Sequence, residues 1–199
     1  MLRSECSKLN DVQFPEFMGD RCFMVKFYKD SGLPEKLGRF QETVDMMLKN
    51  VNTIINGVSQ PIFLTIDEGI VKKGNTHRNG GVHIDGYWNE DMHCWGGGGW
   101  GGTPSSGWGT SGWKVKGNFL VPESIILASS VSASRGYIGE YENNIGDKGD
   151  CTHLDLSGLD CFLMEENRAY RGNVTFLHES LPVLFDTERT LVRLNIKNC

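Results

Sequence analysis

The chain has 199 residues, of which 39% are hydrophobic and 23% charged, and its formal net charge is −5. The apolar content is too high for a disordered chain, and the length fits one globular domain, so we expect residues 1–199 to form a single domain. An acidic balance argues against a protein that depends on the phosphates of nucleic acid, and it favours a small molecule or a peptide as partner.

The sequence shows no sign of export or membrane insertion. No apolar run approaches the roughly 20 residues that a membrane helix needs, and residues 1–8 lack the apolar stretch of a signal peptide. The cysteines are scattered and form no C-x-x-C pair, which favours free thiols over disulfides or a four-cysteine zinc site. We therefore expect a cytoplasmic protein; no pattern predicts its oligomeric state.

The first elements in chain order are a strand and a long helix. Residues 23–27 alternate between apolar and other side chains, which predicts a strand. Apolar residues from Leu37 to Ile55 then recur at steps of three and four, after Pro34 and before Asn56-Gly57. This spacing predicts an amphipathic helix of about five turns with one face for a sheet. We expect the strand and the helix to be an N-terminal support over about residues 1–60.

Several short β-like runs follow the helix, and turn formers such as residues 143–147 and 171–173 separate them. A leading helix and many short strands predict an α+β, mostly β fold that closes as a sandwich or barrel. No alternating βαβα rhythm is present, which disfavours a doubly wound nucleotide-binding fold. The predicted strands cover residues 61–66, 82–85, 124–128, 136–141, 161–165, 174–178 and 189–196.

A Gly- and Trp-rich segment interrupts these strands at residues 95–113 and contains four of the five tryptophans. Ordering so much glycine costs conformational entropy, so we expect a loop. Two interpretations are open: a plain surface insertion, or a segment whose Trp100 and Trp108 cover the substrate. Only Lys114 and Lys116 lie nearby, so a groove for nucleic acid is not indicated.

One histidine and one aspartate lie two residues apart in the β-like stretch His83-Ile84-Asp85. Alternate residues of a strand point to the same face, so both side chains can converge on one ion. His178 lies in a later predicted strand. Two histidines and one carboxylate are the ligand set of the facial triad of non-haem iron oxygenases. The competing interpretations are a surface turn for His83 and Asp85 and an ordinary core histidine for His178.

The last predicted strand carries two arginines on one face, Arg189 and Arg193, roughly 13 Å apart. A buried charge costs several kcal/mol without a partner. Because arginine binds carboxylates in a planar, two-pronged way, an organic acid is the natural ligand. The alternative is a solvated ion pair on an edge strand.

In this order, over about residues 76–196, His83, Asp85, His178 and Arg189 resemble the Fe(II)/2-oxoglutarate-dependent dioxygenase superfamily. The resemblance implies a double-stranded β-helix core (jelly-roll, cupin-like) over about residues 61–199 with the helix packed on it. It implies that the triad holds Fe(II) and that Arg189 binds the far carboxylate of 2-oxoglutarate. Decarboxylation with O2 would give succinate, CO2 and, in most members, a hydroxylated substrate.

The resemblance leaves some roles open. Arg193 can reach the other end of the co-substrate or an anionic substrate. A hydroxyl often helps to bind the far carboxylate in this superfamily, and Tyr137, Tyr170 and Ser180 are the candidates. The oxidised substrate stays open among free amino acids, peptide side chains, nucleobases and small metabolites.

Three alternatives remain. A second H-x-D pattern, His153-Leu154-Asp155, lies only 25 residues before His178, which leaves little room for the strands that separate such ligands. A non-catalytic β-barrel binding module would use the Trp/Gly loop. A cupin-like metal enzyme would not need 2-oxoglutarate, and Arg189 would then matter little.

Overall fold

The computed structural model describes residues 1–78, 80–85, 87–89, 94–96, 108–109, 124–146 and 149–196, with the backbone alone at 87–89, 94–96 and 108–109. The elements before the central sheet are β1 (Leu2–Ser4), β2 (Cys6–Asp11), β3 (Arg21–Phe27), 3-10 turns at Lys29–Ser31 and Glu35–Phe40, α1 (Gln41–Leu48), β4 (Ile54–Ile55) and β5 (Val58–Ser59). The later strands are β6 (Ile62–Val71), β7 (Tyr87–Asn89), β8 (Cys94–Gly96), β9 (Trp108–Gly109), β10 (Ser124–Ser129), β11 (Ser134–Tyr141), β12 (Asp160–Leu163), β13 (Arg168–Asn173), β14 (Leu177–Ser180) and β15 (Thr187–Ile196).

The larger sheet has six antiparallel strands in the order β2-β13-β10-β15-β6-β3. Its longest pairing joins β15 to β6 over their full lengths, from Thr187 opposite Val71 to Ile196 opposite Ile62. The strands β2 and β3 form the two edges of this sheet, so residues 6–11 and 21–27 belong to it and are not a separate N-terminal support.

The smaller sheet is built around β11, which pairs antiparallel with β1, β12 and β14. The segment 82–85 lies against β14, where His83 and His178 form an antiparallel bridge. Strands β7, β8 and β9 form a separate small sheet, in which β8 and β9 are parallel. The protein is therefore mostly β with antiparallel main sheets, compatible with a β-sandwich.

The helix α1 and the larger sheet share one apolar cluster. The buried Val44, Met47 and Leu48 of α1 belong to it together with Leu64 of β6 and Leu194 of β15. On β15 the side chains alternate between this cluster and the opposite face, as the pleat requires. We call the face with Thr190, Val192, Leu194 and Ile196 the outer face of β15, and the face with Arg189, Leu191, Arg193 and Asn195 the inner face.

The predicted helix is too long at both ends. Residues 35–40 form a 3-10 turn, and the α-helix ends at Leu48 instead of reaching Ile55. Asn52 accepts a hydrogen bond from the backbone of Ile54 through its side chain, a local bond that competes with helix formation. Ile54 and Ile55 then begin a hairpin whose turn residues Asn56 and Gly57 both have positive φ. Asn-Gly is a typical pair for a tight hairpin turn, not only for a helix end.

The prediction of a turn at residues 171–173 is wrong, because these residues belong to β13. Gly172 was mistaken for a turn glycine. A Cβ at this position would lie 2.5 Å from the ring of Phe176, so close packing of this ring against the backbone explains the glycine. The predicted strand 174–178 begins later, at Leu177, and β1 and β2 were not predicted.

The other predicted strands are present with shifted bounds, apart from 82–85, which makes isolated bridges only. Of the cysteines, Cys6, Cys22, Cys151 and Cys161 are free thiols. In the described part of the chain, no helix combines the length and apolarity needed to cross a bilayer.

Candidate metal centre

Two histidines from distant parts of the chain are held side by side by the backbone. The amide of His83 donates to the carbonyl of His178 and the reverse bond is also made, both at 3.0 Å. The two ring centroids are 4.5 Å apart. This bridge joins the segment 82–85 to β14 and fixes the spacing of the two imidazoles before any ligand binds.

Main-chain carbonyls hold the Nδ1 atom of each histidine ring by a hydrogen bond. Nδ1 of His83 donates to the carbonyl of Gly81 at 2.9 Å, and Nδ1 of His178 donates to that of Phe176 at 3.0 Å. Because a carbonyl only accepts, Nδ1 carries the proton and Nε2 keeps its lone pair. This is the tautomer that a metal-binding imidazole needs.

Asp85 completes the group. One potential ligand atom from each of His83, Asp85 and His178 lies within 4.8 Å of the others, so the group can hold a metal ion. Oδ2 of Asp85 is 3.7 Å from Nε2 of His178. Metal–nitrogen and metal–oxygen bonds of about 2.0–2.2 Å bring two ligands of one ion to a comparable separation.

Arg193 of β15 lies against the aspartate. Its Nη1 donates to Oδ1 of Asp85 at 2.8 Å, and both side chains are almost fully buried. Burial raises the pKa of Asp85, but the positive charge of Arg193 outweighs it and holds the pKa below its usual range. The carboxylate is therefore ionised and oriented in the metal-free protein.

His178 is kept neutral. It is 8% exposed, and burial, followed by the neighbouring His83, lowers its pKa to about 4. A neutral imidazole is the form that binds a metal ion, so at neutral pH no proton has to leave this residue first.

The three side chains line a cavity together with residues from both sheets. Leu127, Leu191 and Arg193 come from the larger sheet, and Ser134 comes from the smaller one. Arg78 also lines it; burial, followed by the charge of Arg193, lowers the pKa of Arg78 to about 9.

Arg189 is fully buried behind this cavity. Its Nε donates to the hydroxyl of Ser129 at 2.9 Å and its Nη2 to that of Ser134 at 2.7 Å, while Nη1 has no hydrogen-bond partner among the described residues. Ser129 and Ser134 both line the cavity. Burial lowers the pKa of Arg189 to about 10, with the charge of Asp67 acting in the opposite direction.

Of the three hydroxyl candidates named from the sequence, Tyr170 and Ser180 line the cavity, and Tyr137 is not among its lining residues. Tyr137 donates to Glu179 at 2.5 Å, and the hydroxyl of Tyr170 accepts from the amide of Glu165 at 3.0 Å. Sequence reasoning missed Ser129, Ser134 and Arg78, since a serine at a strand end and a lone arginine in a polar connection carry no distinguishing pattern.

The rival H-x-D pattern is not part of the group. His153 and Asp155 lie in an exposed turn region, where Nε2 of His153 donates to the carbonyl of Asn144 at 2.7 Å. Trp100 lies outside the described residues, and for Trp108 the structure describes only the backbone, in β9. The roles proposed for these two tryptophans therefore stay predictions.

Comparison of the chain with protein-family models, with curated proteins and with solved structures finds no match in any of the three. The candidate site is thus described by its own geometry: two histidines and one aspartate that can hold a metal ion, next to two buried arginines.

Proposed function

We propose that this chain is a non-haem Fe(II)- and 2-oxoglutarate-dependent oxygenase, a hydroxylase that couples decarboxylation of 2-oxoglutarate to oxidation of a C–H substrate. The observation that carries the proposal is the convergence of His83, Asp85 and His178 beside a cavity whose serines bind a fully buried arginine. Two imidazoles and one carboxylate leave several coordination positions of an iron ion open.

The strand order supports a jelly-roll core, the double-stranded β-helix, as part of the proposal. From β6 onwards the chain alternates between the sheets: β6 in the larger, segment 82–85 in the smaller, β10 in the larger, and β11 and β12 in the smaller. It then places β13 in the larger, β14 in the smaller and β15 in the larger. Eight segments divided in this way between two antiparallel sheets are typical of a jelly roll.

The ligand set fits iron. In the neutral tautomer of each imidazole Nε2 is the atom that offers a lone pair, Asp85 is ionised, and the donors are the nitrogen and oxygen types that ferrous iron accepts. When bound, the iron supplies one-electron and O2 chemistry that no side chain offers. The chain itself orients the three ligands through the Gly81 and Phe176 carbonyls and through Arg193.

The surroundings of Arg189 fit a carboxylate of the co-substrate. Its Nη1 has no partner among the described residues, and the two serine hydroxyls beside it can also donate to an anion. Arg189 lies four residues before Arg193 on the same strand face, so one end of 2-oxoglutarate can bind there while the other end reaches the metal group. A carboxylate binds strongly to a buried guanidinium, because folding has already removed the guanidinium from water.

Release of succinate from 2-oxoglutarate tests this function. We expect the protein to form succinate only with Fe(II), 2-oxoglutarate and O2 present, and the His178→Ala variant to form none above background. The matched control is His153→Ala, which removes the histidine of the other H-x-D pattern and should leave the activity unchanged.

Each outcome separates the alternatives. Turnover that survives His178→Ala would contradict the proposed site. Metal binding without any dependence on 2-oxoglutarate or on Arg189 would favour the cupin-like alternative, and failure to bind Fe(II) would favour a non-catalytic binding module.

A further inference from the structure

The inner face of β15 carries a second set of buried polar groups without partners. Nε and Nη2 of Arg193, and both Nδ2 and Oδ1 of Asn195, make no hydrogen bond to any described residue. Asn195 is 1% exposed and Arg193 is 2% exposed. Each buried polar group without a hydrogen-bond partner destabilises the fold, so four such atoms on neighbouring inner-face positions require an explanation.

We propose that Arg193 and Asn195 form a binding subsite for the carboxylate of the substrate, on the side of the metal group away from Arg189. This inference rests on the proposed function and goes beyond it, because it assigns the substrate to the class of small carboxylic acids.

The position along the strand separates this subsite from that of the co-substrate. Arg193 contacts Asp85 and therefore lies beside the metal group. Arg189 lies four residues before it and Asn195 two residues after it, roughly 13 Å and 7 Å away along the strand. The metal group thus lies between the two subsites, so a substrate and the co-substrate can approach it from opposite sides.

The shape of the unused arginine edge indicates the ligand. Nη1 is occupied by Asp85, and the remaining Nε and Nη2 donors point along one common edge of the guanidinium plane. Such an edge matches the two oxygens of a carboxylate. The amide of Asn195 adds one donor for the carboxylate and one acceptor for an N–H or O–H group beside it.

The charge balance favours a second acid over the co-substrate alone. The groups concerned are a divalent metal ion, ionised Asp85 and the cations Arg78, Arg189 and Arg193, which together carry a charge of about +4. Doubly charged 2-oxoglutarate leaves about +2, and one further carboxylate lowers the remaining charge to about +1. The other charged pairs near the cavity, Arg168 with Asp11 and Arg135 with Glu179, are already matched.

A binding experiment without turnover tests the subsite. The protein is saturated with Mn(II) and 2-oxoglutarate, and propionate and its neutral counterpart propionamide are titrated by calorimetry. We expect propionate to bind at least about 10-fold more tightly, because a hydrogen bond to a charged group contributes about 1.5–3 kcal/mol. Asn195→Leu should weaken propionate by about 10-fold without lowering the stability of the protein, since it removes two unsatisfied polar groups.

The control variant is Thr190→Val, a buried substitution on the outer face of the same strand, which should leave propionate binding unchanged. Asn195→Thr serves as a second variant if the leucine form does not fold. Equal binding of propionate and propionamide, or no binding of either, would overturn the proposal. So would propionate binding that Asn195→Leu and Asn195→Thr do not change, because the anion would then lie on the metal or elsewhere.

The same titration separates the failure of this inference from that of the proposed function. If Mn(II) or 2-oxoglutarate does not bind, the proposed function fails before propionate is added. If both bind and Asn195→Leu weakens 2-oxoglutarate instead of propionate, the edge of Arg193 holds the co-substrate and the substrate subsite is disproved.

Discussion

The two faces of β15 are equally buried, but one packs apolar side chains and the other carries charged and amide groups. The outer face presents Val192, Leu194 and Ile196 to the cluster under the helix, where each buried side chain contributes through apolar burial and packing. The inner face presents Arg189, Arg193 and Asn195, which are as deeply buried and whose charged and amide groups lack a full set of partners. One face therefore stabilises the sheet, and the other keeps binding capacity that the fold itself does not use.

This contrast shows how a single strand can support both stability and a site. The pleat places alternate residues on opposite faces. Burial of the apolar face can therefore offset the free-energy cost of desolvating the polar face, while each face keeps one kind of side chain. If the contrast holds, changes on the inner side should alter ligand binding with little loss of stability, and changes on the outer face should do the reverse.

The largest expected effect comes from neutralising Asp85, the hydrogen-bond partner of Arg193 on the inner face of β15. We expect Asp85→Asn to weaken Fe(II) or Mn(II) binding by at least about 100-fold, because it removes a charged ligand where loss of an outer partner alone costs about 10–100-fold. Metal affinity measured by calorimetry checks this, with Asp155→Asn, the aspartate of the other H-x-D pattern, as the control. An unchanged affinity in Asp85→Asn would remove Asp85 from the site.

On the outer face, Leu194→Ala should lower the free energy of unfolding by about 2–5 kcal/mol, since it empties a fully buried position under the helix. Denaturant unfolding measures the loss. Metal affinity, measured where the variant is folded, should stay within about twofold of the parent protein. A large loss of metal affinity with little loss of stability would reverse the roles that we assign to the two faces.

On the inner face, Arg189→Met should weaken the binding of 2-oxoglutarate by about 10–100-fold. The substitution removes a charged hydrogen-bond donor and replaces it with an apolar side chain of similar length. The stability should fall little or rise, since an apolar side chain replaces a buried cation. Titration of 2-oxoglutarate into the Mn(II)-loaded protein gives the affinity. A strong fall in stability with unchanged 2-oxoglutarate affinity would show that Arg189 is only a structural residue.

The buried histidine makes a smaller, pH-dependent contribution. The pKa of His178 is lowered from 6.5 to about 4, chiefly by burial. Between these values the unfolded chain binds a proton at this imidazole that the folded chain does not, so stability falls as the pH falls through this window and levels off below it. The fall should be at most about 3 kcal/mol.

Unfolding of the metal-free protein between pH 7 and pH 4 measures this dependence. The His178→Gln variant should lose the corresponding part of the slope, whereas His153→Gln, at an exposed position, should keep it. Identical slopes in the parent protein and in His178→Gln would contradict the assignment.

The sequence predicted more of the site than of its surroundings. The spacing of His83 and Asp85 and the late His178 are local patterns, and the structure brings these three side chains together. The alternation in 189–196 gave the two faces of β15. Three features depend on how distant segments come together: the serines that bind Arg189, the contact of Arg193 with Asp85, and the lack of hydrogen-bond partners at Asn195. The pairing of β10 with β15, and the placing of β11 in the other sheet, leave no local pattern in the sequence.

The errors in the fold have the same physical origin. Periodicity up to Ile55 suggested one long helix, but side-chain bonding at Asn52 and the hairpin at Asn56-Gly57 end it early. Gly172 was assigned to a turn because the sequence does not show that the ring of Phe176, four residues later, packs against its backbone. Local propensity gives way wherever tertiary packing or side-chain hydrogen bonds decide the backbone.

The most direct test of the central claim is an anaerobic titration of the purified protein with Fe(II) and 2-oxoglutarate, followed by visible absorption. Chelation of the iron by the co-substrate predicts a weak charge-transfer band that needs both components, persists in Thr190→Val and disappears in His178→Ala. A protein that binds Fe(II) but develops no such band, or that develops it equally without His178, would contradict the assignment of this site to 2-oxoglutarate-dependent oxidation.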